Sequence, residues 1–281
     1  MTLPTEPRIC VIGAGRLGRT LIRSFERSIA VVVTSNLSSV RSASAEAGER
    51  FVVSREIEEI DPGMVDLMWL AVPDDAIERT ADRLAHAHDW SNRIVVHSAG
   101  GRGRGVLAER FPDSVATAVL HPNAILDGTR PFDVGVVWGI TAEPNLYTLL
   151  SELIESIGGV PLPVAEESRP LYHAAATMTA NYVKTLADAA LSIYDAIGID
   201  RTIALTMIRS YLSSVTTSFD GTTLKEHLTG PAARGDLSTL REHRRLLMAR
   251  LPHLVDMFDS LVETTLREVR PELLERWRKE K

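Results

Sequence analysis

Residues 8–25 read RICVIGAGRLGRTLIRSF, and this stretch decides the fold. Arg8 to Ile12 is a short apolar run rich in β-branched residues, which reads as a buried strand. Gly13, Gly15 and Gly18 follow in the spacing G-x-G-x-x-G, and Leu17, Leu21, Ile22 and Phe25 then recur at helical spacing. The segment is a strand, a tight glycine turn and a helix. That order is what a phosphate-binding turn requires: the first glycine permits the sharp turn, the second lets backbone approach a pyrophosphate, and the third lets helix pack on strand.

Working outward, the alternation continues. Ile29 to Thr34 reads as strand, Ser38 to Ala47 as a short helix, Phe51 to Val53 as strand and Val65 to Val72 as a buried strand. Pro73, Asp74 and Asp75 open a helix to about His86, and Arg93 to Val96, Val115 to Leu120 and Val136 to Ile140 supply further strands. Apolar runs this continuous imply a sheet covered on both faces, so a doubly wound α/β domain is expected over 1–144. From about Asn145 the pattern becomes helical, giving an all-α domain over 145–281 that carries substrate or dimer contacts. Val160 to Val164 is a strand-like exception whose prolines suit an edge or a linker. Glu166 to Ile197 contains no glycine and reads as one long helix ending at Gly198, and the charged stretch Glu272 to Lys281 reads as a solvated helix end.

Length and composition set the limits. The 281 residues suffice for two domains with separate cores, and 44% hydrophobic with 24% charged residues is the balance of a globular protein. A net charge of −6 argues against nucleic acid and anionic membrane surfaces as partners, and no apolar run approaches the roughly 20 residues of a membrane span. Cys10 is the single cysteine, which excludes an intrachain disulfide and a cysteine-rich metal site and suits a cytoplasmic setting. No metal is expected, and Cys10 itself reads as strand filling.

The dinucleotide can be read one strand further on. An acid at the end of the second strand commonly holds the ribose 2′-hydroxyl of NAD, but no acid occurs between Glu26 and Glu46. Thr34, Ser35, Asn36 and Ser38 offer hydrogen bonds, and Arg16 and Arg41 suit a 2′-phosphate, so NADP is expected over NAD. The alternative is that the two arginines are solvated and the site is indifferent. Gly13, Gly15, Arg16, Leu17, Gly18, Ser35, Asn36, Arg41, Val72 and Pro73 are the expected cofactor-binding residues.

Chemistry should lie at the carboxyl ends of the strands. Ser98, in His97-Ser98-Ala99-Gly100-Gly101, would face the reacting ring, while His97 equally suits a plain turn. His121-Pro122 follows the strand Val115 to Leu120, and a histidine there suits proton transfer, or else bonds backbone as a turn residue. On the long helix, His173, Thr177, Asn181 and Lys184 fall at i, i+4, i+8 and i+11, a polar stripe in small and apolar surroundings, whose other reading is a satisfied core network. Tyr172 and Tyr182 fall off that stripe and read as packing. Arg234, in Leu228-Thr229-Gly230-Pro231 through Arg234-Gly235-Asp236, could clamp a carboxylate, against a reading in which Asp236 caps the next helix and Arg234 is surface charge.

The motifs GAGRLG, AVPDD, HSAGG, HP, YHAAATMTANY and LTGPAARGD, in this order, resemble the Rossmann-like, DUF2520 family along nearly the whole chain. That family is similar in layout to ketopantoate reductases, pyrroline-carboxylate reductases and prephenate or arogenate dehydrogenases. The resemblance implies an N-terminal Rossmann domain binding NAD(P), a helical domain like that of 6-phosphogluconate dehydrogenases, and a homodimer. Similarity to prephenate-type enzymes implies that Ser98 and His121 lie near the nicotinamide, with proton transfer at His121. Ketopantoate reductases carry a lysine four residues before the asparagine matching Asn181, where this chain has Thr177, so His173 or Lys184 would substitute. The expectation is an NADP-dependent oxidoreductase for a small oxo acid or imine, with His121, His173, Asn181 and Ser98 catalytic and Lys184, Thr177 and Arg234 binding substrate. Two alternatives are a non-catalytic dinucleotide sensor or scaffold and a dehydrogenase working oxidatively on a cyclic acid.

Overall fold

A computed structural model describes residues 4, 6–36, 38–39, 41–42, 50–218 and 228–281. The chain divides into two compact units, residues 1–180 and 181–281. Positions 43–47 of the expected Ser38 to Ala47 helix lie outside the described residues, whereas Ser38, Ser39, Arg41 and Ser42 are helical.

The first unit is an eight-stranded sheet. Strands β1 (Ile9–Ile12), β2 (Ile29–Val33), β3 (Val52–Ser54), β4 (Leu67–Leu70), β5 (Ile94–His97), β6 (Ala116–Pro122), β7 (Val137–Thr141) and β8 (Val160–Pro163) lie in the order β3-β2-β1-β4-β5-β6-β7-β8. Neighbours are parallel throughout except β6 and β7, which are antiparallel. The first six strands are the doubly wound order, so the expected α/β class holds. Side chains alternate between two cores, as a sheet covered on both faces requires: Ile9, Val11 and Trp69 enter one cluster, and Cys10, Ile12, Met68 and Leu70 enter the other. Cys10 is fully buried, and burial raises its thiol pKa.

The expected boundary at 144/145 falls inside this unit. The helix Pro144–Glu155 buries Leu146, Leu150, Leu153 and Ile154 in the same core as Trp138 and Ile140 of β7, and β8 then joins the sheet. Val160 and Val164 donate their N–H groups to Val136 and Ile140, whereas Pro161 and Pro163 have none to offer the outer edge, so the strand closes the sheet against further pairing.

The segment expected as one helix has four parts. A 3-10 turn at Glu166–Ser168 leads into helix α1, here Arg169–Thr177, then a π turn at Met178–Tyr182 and helix α2, Val183–Ala196. Gly198, at φ +78°, ends the run, as expected for a glycine past a helix terminus. A π turn advances fewer degrees per residue than an α-helix, so the stripe projected from His173 at a constant 100° holds to Thr177 and not to Asn181 or Lys184.

The second unit is helical. Helix α3 (Arg201–Thr217) starts at Asp200, whose carboxylate accepts from the N–H groups of Thr202 and Ile203. Helices α4 (Leu237–Arg250), α5 (Val255–Val269) and α6 (Pro271–Glu280) share a core of Leu237, Leu240, Val262, Leu266 and Trp277. The charged tail is therefore no solvated helix end: Trp277 lies at 0% exposure among its charged neighbours. Among the described residues no helix is long and apolar enough to cross a membrane.

Candidate functional site

The glycine turn has the geometry its spacing predicts. Gly13 sits at φ +107°, and an added Cβ would lie 2.5 Å from the Ala71 carbonyl oxygen. A Cβ on Gly18 would strike the Gly13 carbonyl, so this position is closed by backbone packing. Gly15 differs: it is exposed, and nothing lies within 4 Å of its Cβ position. It leads straight into the helix Arg16–Ser24, which carries no acidic residue in its first turn, so the positive helix end is available to an anion. The space that a Cβ on Gly15 would fill is the cradle a pyrophosphate needs, and the turn fits a dinucleotide on that observation. Val72 overlies the turn, with Cγ1 3.2 Å from the Cβ position of Gly13, and exposed Pro73 follows it. Leu17 is half-buried against the first core.

Beyond the end of β2, Ser35 and Asn36 are exposed, as are Arg16 and Arg41. The Asn36 side-chain oxygen accepts from Ser38 N at 2.9 Å, Ser38 Oγ at 2.6 Å and Ser39 N at 3.3 Å, so it shapes this turn as well as facing solvent. Thr34 is buried, with its N–H bonded to Ser54, and offers its backbone to the sheet.

The same sheet edge carries a polar cluster. His121 lies within β6, which runs two residues further than expected, because the antiparallel partner β7 extends the ladder and sets Gly139 opposite it. His121 Nδ1 is 3.0 Å from the Tyr172 hydroxyl, and Asn123 Nδ2 donates to that hydroxyl at 2.6 Å. The His121 and His173 rings are perpendicular with centroids 5.4 Å apart. Gly100 completes the cluster: its Cβ position lies 2.8 Å from His121 Nε2 and against His173 Nδ1, and that Nδ1 is buried with no partner among the described residues. Only glycine at position 100 lets the two imidazoles converge there. Burial first, then the neighbouring His173 and Arg169, lower the His121 pKa to about 4, so the ring is neutral at pH 7.

Ser98 is half-buried, and its Oγ accepts from Trp69 Nε1 at 2.8 Å, which leaves the hydroxyl proton free to donate. His97 takes the turn reading. Fully buried, it faces the Gly103 carbonyl through Nε2 at 3.1 Å and accepts the Ala99 N–H at Nδ1, and burial lowers its pKa to about 4.

Three residues that the sequence did not single out belong to this cluster. Tyr172, read as packing, is bonded to His121. Asn123 holds Tyr172. Arg169 is fully buried, donates from one Nη to Thr141 Oγ1 at 2.7 Å, lies 5.6 Å over the Tyr172 ring and has Nε and the other Nη unpartnered among the described residues. The available signal was adjacency: Tyr172 precedes His173, and Arg169 stands one turn earlier on the same helix.

The other expected site residues divide between the units. Thr177 is half-buried on α1, whereas Asn181 and Lys184 lie in the second unit and are exposed. Arg234, also exposed, ends the four-residue helix Pro231–Arg234, and Asp236 caps α4 by accepting from Thr239 N at 3.1 Å, the capping arrangement that local sequence allowed.

The solved structures similar to this chain include a protein of Bacteroides fragilis provisionally named an NADP oxidoreductase, with a TM-score of 0.78, 20% identity, and coverage of 93% of this chain and 98% of that one. A 1-pyrroline-5-carboxylate reductase of Streptococcus pyogenes gives 0.66 at 15% identity, covering 95% and 100%, and an imine reductase of Aspergillus terreus gives 0.61 at 14%, covering 96% of each. At these identities the likeness is one of fold. No curated protein matches the chain in sequence. Residues 3–122 match the model of the Rossmann-like domain, and residues 136–265 match that of DUF2520, a domain of unknown function.

Proposed function

We propose that the protein is an NADP-dependent oxidoreductase that reduces a small carboxylate-bearing oxo acid or imine. The observation that carries this reading is the open cradle at Gly15 on the sheet edge that also bears Ser98 and His121, against whose ring His173 of α1 packs. A nicotinamide dinucleotide would supply hydride when bound. Gly13, Gly15, Leu17, Gly18, Val72 and Pro73 would hold its pyrophosphate end, and Arg16, Ser35, Asn36 and Arg41 the 2′-phosphate. Support for NADP comes from the absence of an acid beyond β2 and from the names of similar structures, one bound to NADPH4 and another to NADP. Pyrroline-carboxylate and imine reductases act on C=N bonds, which favours an imine within the oxo acid or imine class.

In this reading His121 donates the proton and Ser98 orients the reacting oxygen or nitrogen. His173 and Thr177, in the same unit as His121, are proposed to serve substrate. A cytoplasmic homodimer is part of the same proposal.

Calorimetric titration with NADPH and NADH, repeated on Arg16→Ala and Arg41→Ala, tests it. Tighter NADPH binding, weakened in either variant by about tenfold or more, as loss of a charge-assisted phosphate contact implies, supports the cofactor assignment. Equal affinity for the two would overturn the 2′-phosphate reading, and binding without turnover on any oxo acid or imine would favour a sensor.

A further inference from the structure

The hydrogen-bond directions around Tyr172 can be assigned atom by atom. Asn123 Nδ2 lies 3.0 Å from the Val137 carbonyl oxygen, which only accepts, so the atom facing it is the amide nitrogen and not the oxygen. That NH2 group gives its other proton to the Tyr172 hydroxyl oxygen at 2.6 Å. Burial raises the Tyr172 pKa and keeps the phenol protonated at rest, while Asn123, Arg169 and the Gly139 N–H that faces the phenol oxygen act in the opposite direction, and Gly139 has no Cβ to strike the hydroxyl. With one lone pair of the hydroxyl taken by Asn123 and the Gly139 N–H facing the other, the remaining bond is the one the hydroxyl donates, and His121 Nδ1 at 3.0 Å is its acceptor. A neutral imidazole that accepts at Nδ1 carries its proton on Nε2. His121 Nε2 is the nitrogen directed at Gly100, beside the unpartnered Nδ1 of His173.

We propose that Val137, Asn123 and Tyr172 form a directional hydrogen-bond chain that locks His121 as its Nε2–H tautomer, making Tyr172 the positioning residue and proton source behind a neutral histidine donor. The proposal rests on the reading of His121 as the proton donor. It resolves a difficulty in that reading, because a ring that stays neutral at pH 7 has no imidazolium proton to give. When the substrate's reacting heteroatom gains an electron pair, the Nε2 proton passes to it and the hydroxyl proton of Tyr172 passes to Nδ1. The imidazole ends neutral in its other tautomer and the phenol ends as phenolate, held by Asn123 Nδ2–H, the Gly139 N–H and the Arg169 guanidinium 5.6 Å from the ring. Water returns the proton to the phenolate after product leaves.

The tautomer is measurable without substrate or cofactor. Nitrogen-15 correlation spectra of the full chain with labelled histidine, His121 being assigned by its loss in His121→Gln, report which ring nitrogen is protonated. The expected result is a pyridine-type Nδ1 and a pyrrole-type Nε2, unchanged from pH 5.5 to 8. In Tyr172→Phe the expected result is a mixture of tautomers with an unaltered backbone amide spectrum, and Asn123→Ala should shift the balance in the same direction. An Nδ1–H tautomer or an imidazolium at pH 7 in the wild type overturns the proposal. So does an unchanged Nε2–H signal in a folded Tyr172→Phe. Failure to bind NADPH would instead sink the proposed function and leave the tautomer result standing.

Discussion

At the scale of the residue, the three glycines of the turn do separate jobs, and two of them can be told apart by experiment. Gly13→Ala places a Cβ 2.5 Å from a backbone carbonyl at φ +107°, where neither partner can give way, so both stability and dinucleotide binding are expected to fall. Gly15→Ala meets nothing within 4 Å, so its thermal midpoint should stay within about 2 °C of wild type while dinucleotide affinity drops tenfold or more. Melting curves with and without NADPH read both. A Gly15→Ala variant that binds normally would remove the cradle as a phosphate site. These roles were legible in the sequence because backbone dictates them locally. Tyr172 was not legible: its part depends on Gly139 and Asn123, brought opposite it by strands whose register no local pattern states.

At the scale of the element, strand and helix identities followed from periodicity, and the departures have particular causes. His121 was expected just past a strand and lies in it, because an antiparallel neighbour prolongs β6 beyond the parallel ladder. The π turn at Met178–Tyr182 is absent from any apolar count, since it alters the angle per residue and not the composition. In α6, seven of the ten residues are neither Leu nor Trp and carry no core role by composition, which hid the anchor at Trp277; the helix looks solvated, yet Trp277 is fully buried against Phe258 and Leu273. Trp277→Ala is therefore expected to destabilise the second unit by roughly 3–5 kcal/mol, the range for truncating a buried aromatic. Urea unfolding followed by circular dichroism measures it. A loss within the roughly 0.5 kcal/mol typical of surface substitutions would mean that the tail contributes little to that core.

At the scale of the whole molecule, the second unit carries more apolar surface than its own core uses. Helix α3 has 17 residues and buries only Ala204, while Ile203, Tyr211, Leu212 and Val215 are 58, 64, 38 and 52% exposed. Helix α2 has 14 residues and buries only Leu191, with Leu186 38% exposed. A monomer in water rarely leaves an apolar helix pair so bare, and hydrophobic surface of this kind is what an obligate interface covers. A second copy of the chain is the occupant the proposed homodimer supplies. Burying these side chains from both copies at about 25 cal/mol per Å² would stabilise the pair most where Ile203 and Tyr211 stand, since they are the large residues left most open on α3. The double substitution Ile203→Asp, Tyr211→Asp removes apolar area and adds buried charge to any such interface, so sedimentation equilibrium should show a dimer for the wild type and a monomer for the variant. A wild type that sediments as a monomer at tens of micromolar would leave this helical face without a partner copy, and a dimer that survives the double substitution would move the interface to another surface.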